Sequence, residues 1–161
     1  MLITCLRHAT AEPTILQSKD AERALVKKGR EQVLRVSQFC RKNALIPAVL
    51  YCSPILRAQQ TARLLQNHLP DCPSFQTAEW LDLTASTEAI VTALTKLEMA
   101  GVNDIWLVGH EPNTSMLIAQ LLEGPAECVL IKKASLTRIF VDFNRSPAAQ
   151  LLWSIPCALM R

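Results

Sequence analysis

Short apolar runs alternate along the chain with longer segments whose apolar residues recur at helical spacing. Residues 2–7 read as a first strand, and residues 8–19, with Pro13 and no steady period, as a loop. Val33, Val36, Phe39 and Cys40 place a helix over about 27–43, stopped by Asn43 and then Pro47. A second strand covers about 48–52. Ser53 and Pro54 form a helix start, serine as N-cap and proline at the first helical position. Ile55, Ala58, Ala62, Leu65 and Leu69 continue it as one apolar stripe down to Pro70. A weaker strand falls near 74–80 and a capped loop over 82–87. The third helix buries Ala89, Ile90, Ala93, Leu94 and Leu97, with Gly101 at its C-terminal turn. A strand at 104–108 leads into a fourth helix over about 113–123, carrying Leu117, Ile118, Leu121 and Leu122. Residues 127–132, 135–143 and 150–155 read as strands, the last two joined by a turn at Asn144–Pro147 and so paired antiparallel.

Composition narrows the class. A chain of 161 residues, half of them hydrophobic, is one domain (1–161) with room for a sizeable core. Its apolar runs are far short of the roughly 20 residues that span a bilayer. The N-terminus lacks the basic flank and cleavage site of a signal peptide, so a soluble, cytoplasmic monomer is expected, with no membrane partner. The six cysteines show no C-x2-C spacing and are expected to be reduced and buried. A net charge of +3 is too small to imply nucleic acid. Residues 23–42 do concentrate Arg23, Lys27, Lys28, Arg30, Arg35, Arg41 and Lys42 against Glu22 and Glu31. That face is either solvated or a steering surface for an acidic or phosphorylated partner.

The chemistry sits at three strand ends. Arg7 and His8 follow the first strand, Arg57 lies in the first turn of the helix after the second, and His110 follows the strand at 104–108. Strand C-termini of a parallel sheet converge on one edge, where ligands bind. If the three strands are neighbours, two arginines and two histidines share a pocket. Arginine offers a planar fork of donors that matches phosphate oxygens. Neutral imidazole is a competent nucleophile near pH 7. His8 is thus placed to attack phosphorus, Arg7 and Arg57 to hold the phosphoryl group, and His110 to donate a hydrogen bond or help move a proton. His68 fits no site and reads as surface. A cysteine phosphatase loop would need five residues between Cys52 and Arg57, where four stand, and a glycine-rich cradle. A metal hydrolase would need His8, His110 and carboxylates such as Glu12, Glu111 or Asp82 to cluster, but no HxH or HExxH spacing appears. No metal or other cofactor is expected.

Leu6-Arg7-His8-Ala9, the stretch from Cys52 to Ala62 and Val108-Gly109-His110-Glu111-Pro112 together resemble the three blocks of the histidine phosphatase superfamily. They are most similar to its short branch, the phosphohistidine phosphatases of the SixA type. The stretch from Asp20 through Arg23 and Leu25 to Gly29-Arg30 also resembles that branch. The resemblance implies a three-layer α/β/α sandwich around a mostly parallel sheet with an antiparallel C-terminal hairpin. It implies a covalent phosphohistidine intermediate on His8, with Arg7, Arg57 and His110 completing the phosphate pocket and Arg23 as a further contact. Ala9 stands where the superfamily usually has glycine, and the inserted segment that carries a general acid in larger members is missing. Glu79 and Asp82 are the nearest candidates for that acid.

Three activities stay open. A site without a lid suits a phosphorylated side chain on another protein, and a P–N bond needs little leaving-group protonation. Both favour phosphohistidine on a histidine phosphotransfer protein. A metal-independent phosphatase of small phosphomonoesters is the alternative, and a non-catalytic phosphate-binding protein a second alternative.

Overall fold

The computed structural model describes residues 1–14 and 20–161, so the loop expected over 8–19 lies partly outside the described residues. The elements run β1 (Leu2–Arg7), α1 (Lys27–Lys42), β2 (Val49–Cys52), α2 (Leu56–His68), β3 (Gln76–Thr77), α3 (Thr87–Met99), β4 (Asp104–Gly109), α4 (Asn113–Leu121), β5 (Leu136–Val141) and β6 (Ala149–Ile155). They build one sheet in the order β3-β2-β4-β1-β5-β6. Pairings from β3 through β1 are parallel, and β5 and β6 each join antiparallel to their neighbour. The antiparallel C-terminal hairpin is thus as the turn signal predicted.

Alternation along the strands sorts the core into two halves. Ile3 and Cys5 of β1 and Ile105 and Leu107 of β4 pack with Ile90 and Leu94 of α3 and Leu117 and Ile118 of α4. Leu6, Trp106 and Val108 pack on the other face with Val33, Val36 and Cys40 of α1 and Ala58, Ala62 and Leu65 of α2. Two helices therefore cover each face, which makes the three layers. The strands read as near-continuous apolar runs because both faces are covered. All six cysteines are free; four are buried, Cys72 is half-buried and Cys128 is exposed. His68 is exposed.

Four expectations need correction. Ser53 does not cap α2: its N–H donates to the Val108 carbonyl at 3.0 Å, so the chain is still extended there. The helix starts at Leu56 with Ile55 at the cap position and no side-chain cap bond. Residues 127–132 form no strand; a 3-10 turn at Ala126–Cys128 opens a loop whose Ile131 carbonyl accepts from Arg7 rather than from a ladder. The weak strand at 74–80 shrinks to Gln76–Thr77, followed by a 3-10 turn at Glu79–Leu81. Ala89 is exposed, so the buried face of α3 centres on Thr87, Ile90 and Leu94.

The start of α1 is pressed against the segment that follows His8. The Val26 N–H donates to the Thr10 carbonyl at 3.1 Å, and the backbone of Gly29 passes so close that a Cβ there would lie 2.1 Å from that oxygen. No flexible side chain is available to yield. Gly29→Ala should therefore cost about 1–3 kcal/mol, the usual range for overpacking. Urea denaturation of the two proteins measures it, and equal midpoints would mean the contact relaxes freely.

Candidate active site

Register places the strand tips together. Arg7 lies opposite Gly109, the His8 N–H donates to the Gly109 carbonyl at 2.9 Å, and Ser53 bonds Val108 from the other side. With β4 between β1 and β2, Arg7, His8, Arg57 and His110 meet at one edge of the sheet. His8, Arg57 and His110 are only 5%, 2% and 2% exposed.

Hydrogen bonding decides the form of His8. Its Nδ1 lies 2.7 Å from the carbonyl oxygen of Ala9, which can only accept, so Nδ1 carries the proton. Nε2 is left with its lone pair, which accepts from Arg57 Nε at 3.1 Å. Burial pushes the imidazole pKa down to about 3; the hydrogen bond to the Ala9 carbonyl opposes it, and the charges of Arg57 and Arg7 add smaller downward pulls. Burial also lowers His110, with Arg57 adding to it and Asp82 and Asp20 opposing. Among the described residues, neither ring nitrogen of His110 has a hydrogen-bond partner, nor do Arg7 Nε and Ser53 Oγ. Buried polar atoms without partners are rare, and a cluster of them at one strand edge fits an anionic ligand.

Asp20 is a site residue that sequence reasoning passed over. Its backbone carbonyl accepts from Arg57 Nη1 at 2.5 Å and its carboxylate from Arg57 Nη2 at 2.7 Å. The same carboxylate pairs with Arg23 at 2.6 Å. Desolvation would raise this carboxyl, but the hydrogen bonds from Arg57 and Arg23 hold it below its usual range. Arg23 therefore reaches the site through Asp20, and its Nη1 donates to the Glu12 carbonyl at 2.7 Å. Asp20 stands in the stretch that carries the SixA-type resemblance, but only proximity to Arg57 in space reveals its role. Thr61 is a second omission. Its hydroxyl donates to the Arg57 carbonyl at 2.7 Å and accepts from the Ala9 N–H at 3.2 Å, tying the residue after His8 to α2.

The two acid candidates separate. Asp82 acts electrostatically on His110, and Asn113 of α4 holds its loop through bonds to the carbonyls of Ala85 and Asp82 at 2.9 and 3.4 Å. Glu79 is exposed and, among the described residues, makes no side-chain hydrogen bond or ion pair with the four clustered residues. The described residues also contain no group of three or more His, Cys, Asp and Glu arranged to hold a metal ion.

Comparison with known proteins gives the family and the fold. Residues 3–83 match the model of the histidine phosphatase superfamily (branch 1), and the chain belongs to that family. The fold is shared with the protein histidine phosphatase SixA solved with tungstate, at a TM-score of 0.88 and 19% identity over the whole of both chains. A protein of Agrobacterium tumefaciens described as a SixA phosphohistidine phosphatase superposes with a TM-score of 0.79 at 17% identity, over 96% of this chain and 97% of that one. An Escherichia coli K-12 protein described as an α-ribazole-5′-P phosphatase gives 0.78 at 20% identity, over 98% of each. No curated protein sequence matches the chain.

Two outcomes follow for the site. Because folding lowers the His8 pKa from 6.5 to about 3, the unfolded chain binds the proton first, and acid destabilises the fold across that window. Nitrogen-detected NMR should show His8 protonated at Nδ1 and not titrating between about pH 5 and 8, the range in which an ordinary histidine charges. Asp20→Asn removes a carboxylate that competes for Arg57 and Arg23. The variant should bind inorganic phosphate about tenfold more tightly by calorimetry, on the scale of a charge-assisted hydrogen bond. Unchanged affinity would show that Asp20 and the anion do not compete.

Proposed function

We propose that the protein is a phosphatase that removes the phosphoryl group from phosphohistidine on another protein, through a covalent intermediate on His8. The observation that carries this reading is the state of His8: buried, neutral, protonated at Nδ1, with the Nε2 lone pair against Arg57. A purely binding site has no use for a neutral nucleophile so held.

The step is a transfer between two nitrogens. Arg57 Nε–H turns from His8 Nε2 to a phosphoryl oxygen, which releases the lone pair. Nε2 then attacks phosphorus while the P–N bond of the substrate breaks, and its imidazole, protonated on the other ring nitrogen, leaves with the electron pair as the neutral base. Arg7, Arg57 and His110 face the equatorial oxygens, where charge concentrates as the bonds exchange. Water next attacks the phosphoryl group on His8, a P–O bond forms, the P–N bond to His8 breaks, and phosphate departs. One proton of that water stays on the phosphate and the other passes to His110 or to solvent. A leaving imidazole is a weak enough base that the transfer needs little help from an acid. The short Glu79–Leu81 turn between β3 and α3, with no inserted segment, suits a substrate presented on a protein surface.

A second reading rests on Asp82. Its carboxylate favours a proton on His110, and a protonated His110 would supply the proton that an alkoxide leaving group requires, which favours a small phosphomonoester.

Phosphate release separates the two when it is measured, with chelator present, from a phosphohistidine-bearing phosphotransfer domain and from an aryl phosphate. Faster release from the domain is expected, and the reverse ranking would move the assignment to small phosphomonoesters. His8→Ala should abolish turnover with the fold intact, and His110→Ala should slow it by about 10²-fold or more, as for a lost charge-stabilising donor. Near-normal rates in His8→Ala would sink the intermediate.

A further inference from the structure

The loop before β5 forms one rim of the site. The Ala134 N–H donates to the carbonyls of Arg7 and His8 at 3.0 and 3.3 Å, and Arg7 in turn donates through Nη1 to the Ile131 carbonyl at 2.6 Å. Ile131 is 3% exposed and anchors the loop inward. Its neighbours face the other way: Leu130 is 79% exposed, and Lys132 and Lys133 are exposed. Lys28, in the first turn of α1, is exposed and lies within Coulombic reach of Lys133. Lys133 lies within Coulombic reach of Arg7, Arg23, Lys28 and Arg57; burial lowers its pKa and those charges lower it further.

The charge is in surplus. Asp20 already pairs with Arg57 and Arg23, and among the described residues no carboxylate pairs with Lys28, Lys132 or Lys133. Like charges gathered without partners repel one another, an arrangement that a field for attracting anions accounts for. The phosphoryl group has Arg7 and Arg57, so the lysines are left for a second anionic surface around it. A large apolar side chain held out at 79% exposure in the same loop has no role in binding a small phosphate ester. It is the kind of anchor that a protein surface buries. Arg35, Arg41 and Lys42 do not belong to this cluster; they line a separate groove with Arg161 near the far end of α1.

We propose that Leu130, Lys132 and Lys133, with Lys28 close by on α1, form the docking surface for the substrate protein, and that it selects proteins whose phosphorylated histidine is ringed by carboxylates. This rests on the reading of the substrate as protein phosphohistidine. The lysines steer the encounter and Leu130 is buried in it, so the surface acts on KM rather than on the chemical step.

The test uses the full chain and two probes: a histidine phosphotransfer domain with carboxylates around its phosphorylated histidine, and free phosphohistidine. The double variant Lys28→Glu, Lys132→Glu should lose about tenfold or more in kcat/KM on the domain, through KM, as expected for lost steering. Its kcat, and its rate on free phosphohistidine, should stay at the wild-type values. Raising salt to roughly 0.3 M, where the screening length falls below about 8 Å, should slow the wild type on the domain and leave the double variant nearly unaffected. Leu130→Ser should raise KM on the domain alone. Equal losses on both probes, or no loss on the domain, overturn the docking surface while leaving the phosphohistidine reading in place. Release from an aryl phosphate with neither phosphohistidine probe turned over overturns both.

Discussion

The site depends on one short hydrogen bond, from His8 Nδ1 to the carbonyl of the next residue. A carbonyl cannot donate, so the bond selects the tautomer and sends the lone pair to the opposite edge of the ring. It needs the chain to leave β1 and bend at once, and much of the surrounding structure holds that bend. Thr61 on α2 holds the Ala9 N–H, Gln32 on α1 holds the Thr10 N–H at 2.9 Å, and Gly29 lets α1 close on the Thr10 carbonyl. Two helices from one face of the sheet thus meet on three residues of backbone. The side chain at position 9 can be alanine rather than glycine because its fully buried Cβ lies within the core under α1 and α2.

Burial governs the electrostatics. Arg57 is almost wholly removed from water, a costly state for a guanidinium unless every donor finds an acceptor. Asp20 supplies two acceptors and His8 Nε2 the third, so each of the three guanidinium nitrogens makes a bond to one of these two residues. The same desolvation keeps both histidines neutral in the company of two arginines. Glu111 offsets part of the positive field from below: it is partly buried, its pKa is raised by desolvation, and Ser115 donates to its carboxylate at 2.5 Å. The pocket is therefore cationic through its arginines alone, which leaves an imidazole able to attack.

The linear chain and the folded chain disagree where a local signal was outbid. Ser-Pro is a strong helix start, yet Ser53 remains extended because its N–H completes the contact with β4, and that places its free hydroxyl among the orphaned site atoms. Residues 127–132 carry apolar residues at strand spacing, Val129 and Ile131, yet they join no ladder. Ile131 is buried as a plug and its carbonyl goes to Arg7. In both places a long-range partner was worth more than the local preference, and both lie at the edge of the sheet where Arg7, His8, Arg57 and His110 gather.

The sequence by itself determined the alternation of strands and helices, the antiparallel closing hairpin, and which side chains stand at the strand ends. These follow from periodicity, turn residues and position relative to apolar runs, all of which are local. Only the tertiary structure decided that β4 lies between β1 and β2, and so that Arg7, His8, Arg57 and His110 converge. It alone decided the proton position on His8, the part of Asp20 and Thr61, and the separation of Asp82 from Glu79. Each of these depends on groups tens of residues apart being brought within a few ångströms, where burial multiplies the strength of every charge and hydrogen bond. No pattern along the chain encodes that distance.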